Sequence, residues 1–258
     1  MTLTRLLLAT TVLANNKAKR LAIRLTRWTG KSREPVHPKH LLGDDSEQYW
    51  YLAYLTDADV LDLGCGHGMH TLKAALRARS VIGMDRDPAA LDMAWRLTQV
   101  AHNVRLYPVD CEQALPSADA MFDVVLCLDL LEHVVARAHL LGEIRRVLKP
   151  KGLLLLAVPN RATSWKRRLA RAGLFAYSDP DHKIEYTLDE LRAELHASGF
   201  AITRLHPAVV DTPLIGLIDL AGSLSLTLYR AITRARRRRA ERYPEESAGF
   251  FAVCEVVA

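Results

Sequence analysis

The chain has 258 residues, half of them hydrophobic, and a formal net charge of +6. This length suits one α/β domain or two small ones, and the composition is that of a globular protein rather than a disordered or low-complexity one. The four cysteines lie far apart without a CxxC pair. This spacing argues against a disulfide framework and a cysteine zinc site, and it favours a reducing, cytoplasmic location.

The chain begins with a segment, residues 1–57, that we predict to be helical and to precede the main domain. Residues 3–28 have the spacing of a basic amphipathic helix, which we prefer to a signal peptide because the apolar stretch is brief. Its candidate apolar positions are Leu3, Leu6, Leu7, Leu13, Leu21 and Leu25. Residues 36–55 carry Tyr49, Trp50 and Tyr51 and would form either a lid or a helix packed on a sheet.

From residue 58 to 258, short apolar stretches alternate with helix-like stretches, which predicts an α/β domain with a parallel sheet covered on both faces. The predicted strands are 58–63, 80–85, 103–109, 122–128, 152–158, 200–206 and 250–257. The predicted helices are 69–78, 88–101, 135–148 and 187–198, the last opened by a capping box of Thr187 and Glu190. Two segments interrupt the alternation as insertions, 161–185 and 209–240.

The stretch VLDLGCGHGMH, Val60 to His70, runs a predicted strand into three glycines at alternate positions. In open α/β sheets, ligands bind beyond the carboxyl ends of the strands, and glycine lets the backbone approach them closely. A pyrophosphate site usually has the spacing GxGxxG. Here the spacing is GxGxG, and Asp62 precedes the first glycine by two residues. A carboxylate in that place suits a ligand with an ammonium group.

Two further acids end the next predicted strands. Asp85 follows Gly64 by 21 residues, where a carboxylate is expected to hold the two hydroxyls of a ribose; a helix cap before Pro88 is the alternative. Asp110 ends the third strand, where it can accept from an exocyclic amino group. The ligand so described has an amino acid end, a ribose and an adenine but no phosphate, and is therefore S-adenosylmethionine.

Five motifs resemble, in this order, those of the class I S-adenosylmethionine-dependent methyltransferases: VLDLGCGHG, VIGMDRDP, VD at 109–110, FDVVLCLDLLEHV and RVLKPKGLLLLAVPN. The resemblance covers 58–206, with a last strand at 250–257. It implies a Rossmann-like, mostly parallel sheet of seven strands with helices on both faces, whose antiparallel last strand is inserted beside the sixth. It also implies cofactor contacts from the motif residues Asp62, Gly64, Gly66, Gly68, Asp85, Arg86, Asp110, Cys111 and Leu128.

The fourth predicted strand leads into Asp129, Glu132 and His133. If the methyl acceptor is a hydroxyl, a base removes its proton, and His133 is the best candidate because an imidazole is largely neutral at physiological pH. The alternative is that Glu132 and His133 only terminate local structure. FDVVLCLDLLEHV and NRATSW also resemble the ubiquinone-biosynthesis O-methyltransferases, whose first acid is usually glutamate. Because Asp129 is shorter, we predict the site without a metal, although the three side chains would share one helix face. In similar enzymes the loop that carries His182 borders the acceptor pocket, and the alternative is a histidine of a surface loop.

Residues 212–229 are apolar except for Asp219 and precede an arginine run. A spanning helix would place Asp219 within the bilayer, and predicted strands of one sheet lie on both sides of the segment. We therefore expect a helix lying at the inner face of an anionic membrane, or else a buried helix over the acceptor pocket. The predicted function is O-methylation of a hydrophobic or lipid-linked small molecule. The alternatives are methylation of a nucleic acid or another anionic acceptor, and a non-catalytic cofactor-binding protein.

Overall fold

A computed structural model describes residues 3–33, 35–43 and 46–257. Asp44 and Asp45 of the predicted lid segment lie outside the described residues. The eight described α-helices are α1 (Leu3–Trp28), α2 (Met69–Ala75), α3 (Pro88–Thr98), α4 (Arg137–Val147), α5 (Ser164–Arg171), α6 (Leu188–Ala197), α7 (Ile215–Leu224) and α8 (Leu226–Arg242). The seven described strands are β1 (Asp59–Leu63), β2 (Ser80–Asp85), β3 (Val104–Pro108), β4 (Phe122–Leu128), β5 (Leu148–Pro159), β6 (Phe200–Pro207) and β7 (Gly249–Val256).

These elements form two compact units. The sheet unit consists of Gln48–Asn160, Asp179–His206 and Gly249–Ala258. The helical unit consists of Met1–Glu47, Arg161–Ser178 and Pro207–Ala248, so it combines most of the predicted N-terminal segment with part of the first predicted insertion and all of the second.

The sheet unit contains seven strands in the order β3-β2-β1-β4-β5-β7-β6. Strands β1 to β5 pair in parallel, and β7 lies between β5 and β6 and runs antiparallel to β5. The predicted Rossmann-like fold is therefore confirmed, including the position of the last strand. The strand order reverses between β1 and β4, which brings the loops after these strands to the edge where ligands bind in open α/β sheets.

Apolar side chains bury both faces of this sheet. Leu61, Leu63 and Val125 belong to one core cluster, while Val60, Val124 and Leu126 belong to the other. Because successive residues of a strand point to opposite faces, these continuous apolar runs produce two layers, as expected of a parallel sheet covered by helices. The capping box of Thr187 and Glu190 is present at the start of α6.

The aromatic residues before β1 pack in the second core cluster of the sheet unit. Tyr49 and Tyr51 are buried in a 3₁₀ helix, Glu47–Tyr54, and the Tyr51 hydroxyl lies 2.8 Å from Nδ1 of His70. The ring of Trp50 stacks on Phe251 with centroids 5.6 Å apart. Of the two interpretations of this segment, the packing of these rings matches the helix on the sheet.

All four cysteines of the sheet unit are buried as free thiols, and burial raises the pKa of each of them. The pKa of Cys254 rises to about 12 and that of Cys111 to about 11. Thiolates are the reactive form of cysteine, so these side chains behave as small apolar groups.

In the helical unit, the predicted apolar segment is broken into two helices. Ser225 has an extended conformation and caps α8, accepting a hydrogen bond from the Leu228 amide. Asp219 is fully buried and accepts hydrogen bonds from the Tyr229 hydroxyl at 3.2 Å and from Nε2 of His37 at 3.1 Å. The His37 ring donates through Nε2 because its Nδ1 accepts from the Lys39 amide. Among the described residues, no helix is long and apolar enough to cross a bilayer.

Candidate active site

The loop after β1 is a left-handed turn that only glycine adopts without strain. Gly64 and Gly68 have φ of +67° and +79°. A Cβ on Gly64 would lie 2.8 Å from Cδ1 of Leu130, and a Cβ on Gly68 would lie 2.7 Å from the Cβ of Ala94 on α3. The alternating glycines thus expose the backbone at the end of β1 and let α2 approach α3.

Asp85 at the end of β2 is tied to this loop. Its Oδ2 accepts the Gly66 amide at 2.8 Å, and its Oδ1 accepts the Asp87 amide at 2.9 Å. The helix cap before Pro88 is Asp87, whose side chain accepts the Ala89 amide. These two amides fix the orientation of the Asp85 carboxylate, and each of its oxygens retains a lone pair for a further donor.

A cavity of about 430 Å³ lies beyond the carboxyl ends of the central strands. This volume is within the range of small-molecule sites, about 300 to 1,000 Å³. Six of the predicted site residues line it, namely Gly64, Asp85, Arg86, Asp110, Cys111 and His133. Its other walls are Val109, Glu112, Asp129, Leu130, Val134, Asp181 and Lys183.

The remaining predicted cofactor contacts lie outside the walls of this cavity. Leu128 packs against the second core cluster, and Gly66 and Gly68 serve the loop itself. Asp62 is buried and its Oδ2 accepts from Oγ1 of Thr71 on α2 at 2.6 Å. Burial raises the pKa of Asp62 to about 7, the charge of Asp85 adds to this effect, and the Thr71 hydrogen bond opposes it. A cation reaching Asp62 would favour its ionised form.

His133 ends a 3₁₀ helix, Leu131–His133, that follows β4. Its pKa is lowered from its usual value, first by burial and then by the neighbouring charge of His182. The two imidazole rings meet edge to face with centroids 4.6 Å apart. A lowered pKa keeps the His133 ring neutral, and therefore able to accept a proton, at physiological pH.

The loop that carries His182 is held against this 3₁₀ helix. The Lys183 amide donates to the carbonyl of Glu132 at 2.7 Å, and Nδ1 of His182 lies 2.8 Å from the buried carboxylate of Glu185. A carboxylate at that nitrogen fixes the ring of His182 and its tautomer. The loop therefore brings His182 to His133 although 48 residues separate them in the sequence.

Glu132, His133 and His182 also form a group that can hold a metal ion. One ligand atom from each lies within 4.8 Å of the others. The predicted alternative set contained Asp129 in place of His182. Asp129 lines the cavity at φ of +54° and lies outside the group of three. Two imidazoles and one carboxylate favour a transition metal over magnesium.

Glu112 lines the cavity but was not among the residues predicted from the sequence. Its Oε2 accepts the amides of Val135 and Ala136 at 3.1 and 3.0 Å, which anchors the chain between His133 and α4. Glu112 lies two residues after Asp110, in the loop after β3, so its position near the site could have been noticed. An acidic residue in a loop belongs to no specific motif, however, so the sequence alone did not single it out. Asp181 and Lys183 lay in a segment that was singled out only for its histidine.

The cavity suits S-adenosylmethionine by its volume and by the polar groups in its walls. The backbone of Gly64 and carboxylates at the ends of β2 and β3 line the cavity, which matches a ligand with a ribose and an adenine. The loop after β1 lacks the phosphate-binding pattern GxGxxG, which matches a ligand without a phosphate. Five acidic side chains and two basic ones line the cavity, so it favours a cationic ligand over an anionic one.

Comparisons with known proteins agree with this geometry. Residues 61–156 match the family described as "Methyltransferase domain". A probable S-adenosylmethionine-dependent methyltransferase of Mycobacterium tuberculosis is 34% identical over 188 residues, which are 67% of this chain and 60% of the relative. A ubiquinone biosynthesis O-methyltransferase of Pseudomonas aeruginosa is 38% identical over 111 residues, 42% of this chain and 47% of the relative.

A solved S-adenosylmethionine-dependent methyltransferase of Mesorhizobium loti has the same fold, with a TM-score of 0.54 and 18% identity over 82% of this chain and 98% of that one. Residues 61–156 therefore form a methyltransferase domain of the class I S-adenosylmethionine-dependent family, and the cofactor of that family is S-adenosylmethionine, as the sequence predicts. The chain spans about 60% of the length of the first curated relatives that it matches.

Proposed function

We propose that this chain is an enzyme that transfers a methyl group from S-adenosylmethionine to an oxygen of a hydrophobic or lipid-linked small molecule. The observation that carries the proposal is that one cavity brings Gly64, Asp85 and Asp110 together with His133. The first three are the groups expected to bind the cofactor, and the fourth is a base with a lowered pKa. A donor site and a proton acceptor thus share one volume.

Each wall of the cavity has a task in this reaction. Asp85 would hold the ribose hydroxyls, and Asp110 with the Cys111 backbone would hold the adenine. The bound cofactor supplies a methyl group on a positively charged sulfur. The protein aligns the acceptor oxygen with that methyl group, and positioning of this kind provides most of the rate enhancement in such displacements. His133 takes the proton of the acceptor hydroxyl on a ring nitrogen.

The charge of the sheet unit supports a small acceptor over a nucleic acid. This unit contains 20 acidic and 14 basic residues, and the cavity walls are acidic. Nucleic-acid binding relies on basic side chains that neutralise phosphates. The relative from Pseudomonas aeruginosa, by its name an O-methyltransferase of ubiquinone biosynthesis, supports an oxygen acceptor, although it matches only 42% of this chain.

The binding half of the proposal is tested by calorimetric titration of S-adenosylhomocysteine into the wild type and into Asp85→Ala. Hydrogen bonds to a charged group contribute about 1.5 to 3 kcal/mol, so the variant should bind about ten- to a hundredfold more weakly. Asp92→Ala, on the exposed surface of α3, is the matched control and should bind as the wild type does. Equal affinity of Asp85→Ala and the wild type would refute the assignment of the ribose site.

The transfer half is tested with methyl-labelled cofactor and three acceptor pools: extracted lipids, hydroxylated aromatic compounds and RNA. Label in the first or second pool, on oxygen, supports the proposal. Label in RNA alone would favour the nucleic-acid alternative, and cofactor binding without any transfer would favour the non-catalytic one.

A further inference from the structure

Helix α7 buries small and polar residues and exposes leucines, which is the reverse of an ordinary amphipathic surface helix. Its buried residues are Gly216, Asp219, Gly222 and Ser223. Leu217 and Leu224 are 62% and 64% exposed, and Leu214 before the helix is also exposed. A helix of a water-soluble protein normally turns its apolar face to the core. Leu217 and Leu224 of α7, together with Leu214 before it, therefore form an apolar face that the helical unit does not cover.

Helix α1 repeats this arrangement. Its buried residues are Ala22 and Thr26, whereas Leu3, Leu7, Leu13 and Trp28 are exposed, the last by 77%. The predicted apolar positions of this helix are thus largely its exposed positions. Exposed leucines on both helices indicate a surface that interacts with a membrane or with another protein.

The contact between α1 and α7 uses small and polar residues instead of leucines. A Cβ on Gly216 would lie 2.8 Å from the Cβ of Ala18. The Asn15 side chain accepts the Gly216 amide at 3.0 Å and donates to the Pro213 carbonyl at 2.8 Å. Small residues and interhelical hydrogen bonds are the means by which helices associate in lipid, where leucines are left for the surroundings.

The helical unit is also strongly basic. It contains 21 Lys and Arg residues against 9 Asp and Glu residues, a formal charge of +12 in a chain whose total is +6. A cavity of about 490 Å³ in this unit is lined by Arg5, Arg168 and Arg171 together with Thr4, Leu8 and Ala172, and no acid contributes to its walls. Within the described part of the chain, Arg168 and Arg171 are exposed and form no ion pair.

We propose that the helical unit docks on the surface of a negatively charged lipid bilayer. The exposed leucines of α1 and α7 enter the head-group region, and the exposed Lys17 and Arg24, which share the leucine face of α1, bind lipid phosphates. A second copy of this chain is the other candidate for an apolar face. It is disfavoured because each copy would bring a helical unit of charge +12 to the interface. The docking is interfacial and does not depend on methyl transfer.

The test is flotation of the full chain with vesicles of phosphatidylcholine alone and with about one third phosphatidylglycerol. We expect binding to the anionic vesicles, and we expect added salt to weaken it. The first variant carries Leu214→Ser, Leu217→Ser and Leu224→Ser, and the second carries Lys17→Glu and Arg24→Glu. Each basic residue near an anionic surface contributes about fivefold to binding, so the second variant should bind at least about 25-fold more weakly.

The matched control is Trp95→Ser, which removes an exposed apolar side chain from α3 of the sheet unit and should leave vesicle binding unchanged. Binding of S-adenosylhomocysteine by every variant verifies that the sheet unit is folded, and circular dichroism verifies the helices. Failure of the wild type to float with anionic vesicles would overturn the proposal. Unchanged vesicle binding of either multiple variant would also overturn it. A leucine variant that still binds vesicles and loses only self-association in sedimentation would favour the second copy instead and overturn the proposal.

Discussion

The buried carboxyl group of Asp62 makes the stability of the protein depend on pH in an unusual direction. Most carboxylates of folded proteins have a lowered pKa and contribute stability as pH rises. Asp62 is enclosed beside the first glycine loop with Thr71 as its hydrogen-bond donor, and its pKa is raised from 3.8 to about 7. Asp62→Asn keeps an acceptor for Thr71 and removes the titration.

The expected magnitude follows from that pKa. Below pH 3.8 the group is protonated in both the folded and the unfolded state and contributes no pH dependence. Between 3.8 and about 7 the folded state binds more protons, so stability falls as pH rises. The full penalty, reached above pH 7, is about 4 kcal/mol, of which about 2 to 3 kcal/mol develop between about pH 5 and pH 8.

The assay is urea unfolding of the wild type and Asp62→Asn across that pH range. The variant should gain stability relative to the wild type as pH rises, by the amount above, and Asp92→Asn on exposed α3 should show no such trend. Parallel pH profiles of the wild type and Asp62→Asn would refute the reasoning. The stabilised variant should also bind S-adenosylhomocysteine more weakly, because an ionised Asp62 is the proposed partner of the cofactor's ammonium group.

Three further perturbations test the site and the units separately. In urea unfolding, Gly68→Ala should destabilise the protein by about 1 to 3 kcal/mol more than Gly30→Ala. Both glycines have positive φ, but only Gly68 lacks room for a Cβ. Equal losses of stability would contradict this prediction. In the wild type, kcat/KM should decrease as the pH is lowered, with an apparent pKa below the usual histidine value, because burial lowers the pKa of His133. His133→Gln should abolish this decrease at acid pH. An unchanged decrease would mean that another group titrates. Asp219→Ala removes a buried carboxylate that accepts hydrogen bonds from His37 and Tyr229 and should cost about 2 to 5 kcal/mol of unfolding free energy. A loss under about 0.5 kcal/mol would mean that the network contributes little.

The strand ends of the site were predictable from the sequence because their chemistry is local. A buried strand that ends in an acid or a glycine places that residue at the ligand edge of a parallel sheet, whatever the loops do. Gly64, Asp85 and Asp110 line the cavity for this reason. The strand order was predictable only through the resemblance to the family, since the alternation of strands and helices does not fix it.

The pairing of His133 with His182 was not predictable, because it depends on a loop whose position is set by backbone hydrogen bonds to Glu132. Each histidine was a candidate alone, and no periodicity linked them. The sequence pattern also did not predict which face of α7 is buried. An apolar stretch with a single acid predicts a buried or interfacial helix, but only the packing of Gly216 and Asp219 shows which face is turned inward.

Three of the four buried thiols provide a kinetic readout of how the sheet unit opens. A thiol in a closed core reacts with an alkylating reagent only during transient exposure, so its labelling rate reports an opening equilibrium. Cys127 and Cys254 are fully enclosed in strands β4 and β7, whereas Cys111 borders the cavity. Reaction at Cys111 should therefore slow as the cofactor site is filled, while reaction at the other two follows the opening of the sheet itself. One labelling experiment would thus measure ligand occupancy and global stability at different positions of the same chain.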